Sequence, residues 1–184
     1  LGPDLKGDMM ILETRNDRTL FFDLLPIGLV APSGLTIKVK IFTVPGQVAH
    51  DGTRKAVLSR ADGVVFVADS RRSQTVNNGE SFQNLADNAE RVCLDFERLP
   101  LVAQFNKRDL PDALPEDEIR SRWRAGWPVT FASALHGRGV HETFRLLLER
   151  AYDVLDEPFG LASGHRLSRE SFVAGLCGGA ARVG

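Results

Sequence analysis

The stretch that most restricts this chain is residues 100–109, PLVAQFNKRD. An apolar run from Leu101 to Phe105, broken only by Gln104, ends abruptly in Asn106, Lys107, Arg108 and Asp109, and Pro111 follows. Such a run is the pattern of a strand buried on both faces, as parallel sheets produce. The polar residues then fall at the carboxyl edge of that sheet, where open α/β folds hold their ligands.

The other segments agree with an α/β reading. Residues 1–17 mix Gly, Pro and charge around one apolar patch, Met9–Leu12, and are expected to form a loop with a short strand. LFFDLLPIGL (20–29), the turn signal Pro32-Ser33-Gly34 and the alternating LTIKVKIF (35–42) predict an antiparallel hairpin. Residues 48–60 are loosely helical, and GVVFVADS (63–70) predicts a fully buried parallel strand. Apolar residues, mostly three or four apart over 76–97 and starting at Val76, predict a helix with Cys93 as buried filler. Pro115 opens a further helix to about Trp123, with Glu116, Asp117 and Glu118 suiting the positive end of its dipole. WPVTFASAL (127–135) is a strand and its exit loop. Residues 139–157 form an amphipathic helix ended by Pro158. The Gly-, Ser- and Ala-rich residues 158–184 are expected to be a flexible C-terminal tail, with at most a turn or two of helix near Leu167–Leu176. A hairpin followed by repeated strand–helix units predicts a three-layer α/β domain over residues 1–157.

Composition narrows the class. A length of 184 residues suits one domain, and 43% hydrophobic with 26% charged residues is ordinary for a globular protein. A net charge of −1 gives no reason to expect nucleic acid or an anionic membrane as partner. Cys93 and Cys177 have no metal-ligand spacing and do not read as an exported disulfide framework. No apolar run reaches spanning length and no signal peptide opens the chain, so a cytoplasmic protein without a transmembrane segment is expected.

The chemistry of N-K-x-D at a strand edge is specific. The carboxylate of Asp109 can accept two parallel hydrogen bonds, from the N1–H and the exocyclic amine of guanine. Adenine has no N1 donor and would leave a desolvated carboxylate unpaired, at a cost of about 1–3 kcal/mol. Asn106 can tie the loop and reach the N7 side, and the stem of Lys107 can lie over the base. Arg108 is the free position and is expected to face solvent. The same four letters also describe an ordinary polar turn at a strand end. Asp69 and Ser70 end the neighbouring strand and are given no chemistry. The run Arg120, Arg122, Arg124 reads as a solvated helix face, and the four histidines show no ligand spacing.

Arg18-Thr19, TVPGQ (43–47), NKRD (106–109) and FASAL (131–135) follow one another at strand ends. In this order and spacing they resemble the switch I, switch II, guanine-specificity and final base-contact motifs of Ras-like small GTPases. DRTLFFDLLP, TVPGQ, GVVFVADS and NKRDLP are similar to the wording of the bacterial polarity and gliding-motility GTPases of the MglA type. The resemblance implies a P-loop NTPase-like G domain that binds GTP/GDP with Mg²⁺ and hydrolyses GTP. Thr19 would meet Mg²⁺ and the γ-phosphate, and Arg18 would neutralise charge on the transferring phosphoryl group. Gly46 would read the γ-phosphate through its N–H, and Gln47 would orient the attacking water. Ser133 and Ala134 would form the last base contact, Ala134 N–H donating to the guanine O6. Thr43 stands where most small GTPases have an aspartate; the MglA type shares this departure. Implied partners are a roadblock-type, MglB-like GTPase-activating protein and polarity or motility effectors, with recruitment to the cell poles.

The family begins with a strand, a G-x-x-x-x-G-K-[ST] loop and a helix, and no Gly-Lys-Ser/Thr occurs in these residues. The expectation is a G domain incomplete at the N-terminus, whose missing strand would leave backbone groups of two neighbours unpaired. The alternative is a nucleotide-free pseudo-GTPase acting as a protein-interaction module.

Overall fold

The computed structural model describes residues 10–11, 22–44 and 51–178. The chain divides into two compact units, one of residues 1–60 with 152–184 and the other of residues 61–151.

The second unit holds the parallel sheet. Strands β4 (Val64–Asp69), β5 (Leu101–Asn106) and β6 (Val129–Phe131) pair in that order, all parallel. The central β5 is buried from Leu101 to Phe105, as its apolar run demands. One face of the sheet carries Phe66, Ala68, Ala103, Phe105, Val129 and Phe131, packed with Leu114, Trp123 and Ile119 of helix α3 (Glu116–Arg122). Phe82 of helix α2 (Thr75–Arg91) joins this face, its ring 5.1 Å from Phe66 and 4.8 Å from Trp123. Alternation places Thr130 on the other face. There its hydroxyl meets that of Thr143, on helix α4 (Val140–Phe159), at 2.8 Å, and Leu147 of the same helix lies against Gly63. Helices on both faces make this unit the expected three-layer α/β arrangement.

β4 is not fully buried: Ala68 alone of its residues is buried, and Val67 is 56% exposed. β4 pairs on one side only among the described residues, whereas β5 is paired on both. The helix predicted over 76–97 stops at Arg91. Cys93 takes a left-handed φ of 57° and donates its N–H to Glu90 O at 2.9 Å, while Leu94 N–H donates to Ala89 O at 2.9 Å. That pair of bonds is the Schellman closure, which ordinarily uses glycine. Cys93 is exposed rather than buried filler, and Val76, read as part of the apolar face, is 69% exposed.

In the first unit β1 (Met10–Ile11), β2 (Phe22–Val30) and β3 (Thr36–Phe42) form an antiparallel sheet, the predicted hairpin with a short added strand. The β2–β3 register slips between Leu24 and Ile27. Pro26, which has no N–H to give a ladder, stands in that bulge. Helix α1 (Asp51–Leu58) follows.

The expected tail is folded as far as residue 178. Pro158 lies inside the last turn of α4, and Gly160, at φ 58°, closes the helix by donating to Asp156 O at 2.8 Å. Ser168 then caps helix α5 (Arg169–Cys177) by accepting from Ser171 N–H at 3.2 Å. Leu161, Leu167, Phe172, Val173 and Leu176 are all buried. Tyr152 donates its hydroxyl to Leu167 O at 2.7 Å, and its ring lies 5.5 Å from Phe172. Gly175 lets α5 approach β2, since a Cβ there would stand 2.6 Å from Leu29 Cδ1. Residues 179–184 lie outside the described residues.

Candidate functional site

The site is built where β5 and β6 end, within the second unit. Asn106 ties the two exits together: its Oδ1 accepts from Lys107 N–H at 2.8 Å and from Ala134 N–H at 2.9 Å. Arg108 N–H donates to Ala132 O at 3.0 Å, and Leu110 N–H closes a turn on Lys107 O at 3.1 Å. The 133–139 loop is closed by reciprocal bonds between Ser133 and Arg138, at 3.0 and 3.1 Å. Gly137 and Gly139 take the positive φ values, 67° and 74°, that this tight return needs. Lys107 itself takes φ 66°, a conformation that lysine seldom adopts.

Asp109 and Ser133 meet across this edge. The buried Ser133 hydroxyl donates to Asp109 Oδ1. That bond, the residue's own backbone N–H and the nearby His136 and Lys107 charges hold the Asp109 carboxyl below its ordinary range. The carboxylate is exposed and ionised, with one oxygen pinned. It is the acceptor that a base edge with two adjacent N–H donors requires, so the residues present fit guanine. Asp109 and Ser133 line a hollow of about 160 Å³ together with Arg108, Phe131, His136 and Arg138. Small-molecule sites usually enclose roughly 300–1,000 Å³, so this hollow has room for part of a ligand only.

Arg108 is not the solvent-facing position expected. It is half-buried, donates from Nη1 to Leu114 O at 2.5 Å and stacks its guanidinium 5.3 Å from the centre of the Phe131 ring. The loop folds back over β6, so the position left free by base recognition is used for packing. Arg120, read as a solvated position, also rests on that ring, at 4.7 Å. Ala134 and Leu135 are exposed at the start of the last loop, Leu135 at 81%.

Asp69, given no role from the sequence, is a hub. It ends β4 in register with Asn106. Its carboxylate accepts from Arg71 Nε at 3.1 and 3.2 Å, Arg71 Nη2 at 2.7 Å, Arg71 N–H at 3.0 Å and Lys107 Nζ at 2.8 Å. The Arg71 guanidinium holds its carboxyl far below the usual carboxylate range, against the opposing effect of burial, and Lys107 adds to this. The one sequence signal was an acid closing an apolar strand, two residues before an arginine.

Arg18, Thr19, Gly46 and Gln47 lie outside the described residues, and Thr43 is exposed just after β3. Among the described residues no three His, Cys, Asp or Glu side chains stand together to hold a metal, and no helix is long and apolar enough to cross a membrane. The Mg²⁺ role of Thr19 rests on the resemblance alone.

Comparison with known proteins agrees with the motif order. Residues 33–151 match the ADP-ribosylation factor family. The mutual gliding-motility protein MglA of Myxococcus xanthus (strain DK1622) is 42% identical over 143 residues, covering 77% of this chain and 73% of that protein. The chain belongs to the ADP-ribosylation factor family of Ras-like small GTPases and is of the MglA type.

Proposed function

We propose that this protein is a GTP-binding molecular switch that hydrolyses GTP to GDP and phosphate and serves cell polarity or gliding motility. The observation that carries the reading is the exposed, ionised carboxylate of Asp109, pinned by Ser133 at an edge tied by Asn106. A base offering both N1–H and an exocyclic amine satisfies this acceptor. Adenine offers neither donor at these positions, so the carboxylate that its base would cover is left unpaired, and that cost gives the site its discrimination.

In this reading the stem of Lys107 covers the base, Ser133 steadies Asp109, and the Ala134 N–H, which donates to Asn106 Oδ1 in this structure, shares itself with the guanine O6 once nucleotide binds. Gly46 reads the γ-phosphate, Gln47 orients the attacking water and Arg18 neutralises the charge that develops on the phosphoryl group. Thr19 would help to hold Mg²⁺, which when bound would neutralise charge at the phosphates. Loops ordered by the γ-phosphate relax once it leaves, which is the switch. A roadblock-type, MglB-like activating protein and motility or polarity effectors are the partners this reading calls for, acting on a cytoplasmic protein recruited to the cell poles.

Competition against a fluorescent guanine nucleotide on the full chain tests the reading. GTP and GDP are expected to compete at concentrations at least about tenfold lower than ATP, a difference of about 1.4 kcal/mol. Asp109→Asn is expected to move the preference toward xanthine nucleotides, whose C2 oxygen accepts where guanine donates. Equal affinity for ATP and GTP would refute base recognition. No heat with GTP and Mg²⁺ on a folded chain would favour an interaction module instead.

A further inference from the structure

We propose that Asp69 is the positioning residue of the base-binding lysine: it grips the Lys107 ammonium so that the side chain's stem is set before a guanine nucleotide arrives. The inference rests on the guanine-binding reading above.

Two neighbouring strands deliver the parts. Asp69 and Asn106 are paired across the β4–β5 ladder, so the acid and the N-K-x-D loop emerge side by side. Lys107 is then fixed at both ends. Its N–H donates to Asn106 Oδ1, its carbonyl accepts from Leu110 N–H, and its Nζ donates to Asp69 Oδ2 at 2.8 Å. Between those anchors run the four methylenes that would lie against the base. A free lysine would have to order them on binding; this one is already ordered.

Asp69 is itself held rigid. Arg71 binds its carboxylate through Nε and Nη2 as well as through its backbone N–H. The Asn78 side-chain amide donates to Asp69 O at 2.8 Å and accepts from Asp69 N–H at 3.1 Å. The bland alternative is a clasp that only finishes β4. That clasp is complete with Arg71 and Asn78 alone and gives no reason for the lysine. The Lys107 side chain is 50% exposed, and a half-exposed ion pair adds little to stability, so folding does not explain the third contact.

The chemistry divides the labour. Contact along a purine's face is blind to the edge of the base, which Asp109 reads together with Asn106 and the Ser133–Ala134 loop. Asp69 thus sets how long a guanine nucleotide stays, leaving the choice of base unchanged.

The test is release of a fluorescent GDP from the full chain. Asp69→Asn is expected to speed release about three- to tenfold, the cost of ordering one flexible side chain, with the preference for GTP over ATP unchanged. Lys107→Met, which keeps the apolar stem and loses the ammonium, is expected to do the same. The double variant should release no faster than the faster single one, because both remove one contact. Should Asp69→Asn fail to fold, Asp69→Glu keeps the charge and the Arg71 clasp while displacing the lysine's partner, and about a twofold to threefold rise is expected. Wild-type release from the Asp69 variants, multiplying effects in the double variant, or a changed base preference would each overturn this inference alone. An unmutated chain that binds no guanine nucleotide would overturn the guanine reading and this inference with it.

Discussion

Replacing Gly139 by alanine tests whether the last loop of the site is held as tightly as its contacts imply. Gly139 has φ 74°, and a Cβ built on it would stand 2.1 Å from Phe131 O and 3.0 Å from Ala132 Cα. Neither wall can retreat cheaply. Phe131 is paired with Phe105 in the parallel sheet, and Gly139 O accepts from both the N–H and the hydroxyl of Thr143, at 3.1 and 2.8 Å. The left-handed conformation costs an alanine about 1–2 kcal/mol, and forcing a methyl group into packed backbone costs about 1–3 kcal/mol more. The expected loss is therefore about 2–5 kcal/mol, or a fall in Tm of about 4–20 °C for a protein of this size. Gly137→Ala is the control. It shares the positive φ, at 67°, but a Cβ there meets nothing within 4 Å, so only the conformational cost of about 1–2 kcal/mol applies. Urea denaturation of the three proteins gives the comparison. Equal stability of the two variants, within about 0.5 kcal/mol, would mean that the overlap does not exist and the loop runs elsewhere. Because Ser133 lies between β6 and Gly139, the folded fraction of Gly139→Ala is also expected to bind guanine nucleotide more weakly than Gly137→Ala.

Asp69 predicts an acid limb. Its carboxyl is held below the ordinary value of about 4, so the stability it contributes is complete above that value and is lost as pH falls below it toward the depressed pKa. Asp69→Asn should flatten the loss of stability below about pH 4, and an unchanged acid limb would contradict the ion-pair account. Cys93→Gly should raise stability by about 1 kcal/mol in thermal melting, since Cys93 is exposed and occupies the left-handed closing position of α2. Tyr152→Phe should cost about 1–2 kcal/mol, because it strands the Leu167 carbonyl beside a buried ring. A variant as stable as the parent would show that water replaces the lost donor.

What was readable in the residues, and what was not, follows from the range of the interactions. The β5 strand was legible because burial on both faces removes every polar alternative from Leu101 to Phe105 except Gln104. The hairpin was legible because alternation and a Pro-Ser-Gly turn are local. Three features were not. The end of α2 depends on a cysteine accepting a backbone conformation that glycine usually takes. The fold of residues 160–178 depends on five apolar residues scattered among Gly, Ser and Ala, which meet only when α5 docks. Base recognition leaves Arg108 free and so predicts it in solvent, yet Phe131 and the Leu114 carbonyl make it part of the packing. Asp109 and Ser133 belong to different motifs 24 residues apart, and their hydrogen bond joins them.

Among the described residues β4 has a partner strand on one side only, and the site sits beside its unpaired side. Residues of a strand alternate the direction of their backbone groups. Val64 and Ser70 donate toward β5, to Pro100 O and Asn106 O, so Val65, Val67 and Asp69 face away from it. At Asp69 the Asn78 amide takes the place of a neighbouring strand, offering one donor and one acceptor where a backbone would. The edge is thus closed by a side chain at the one residue whose carboxylate holds Lys107, whereas at Val67 the side chain is left exposed. Local stability in a fold is not uniform, and loosening at Val67 need not reach the base-reading edge while Asn78 keeps the strand's end in place. The rigidity of Asp69 comes from α2 and Arg71, that of Asp109 from β6 and Ser133. The two carboxylates that frame the site are therefore held from opposite sides, with Asn106 between them.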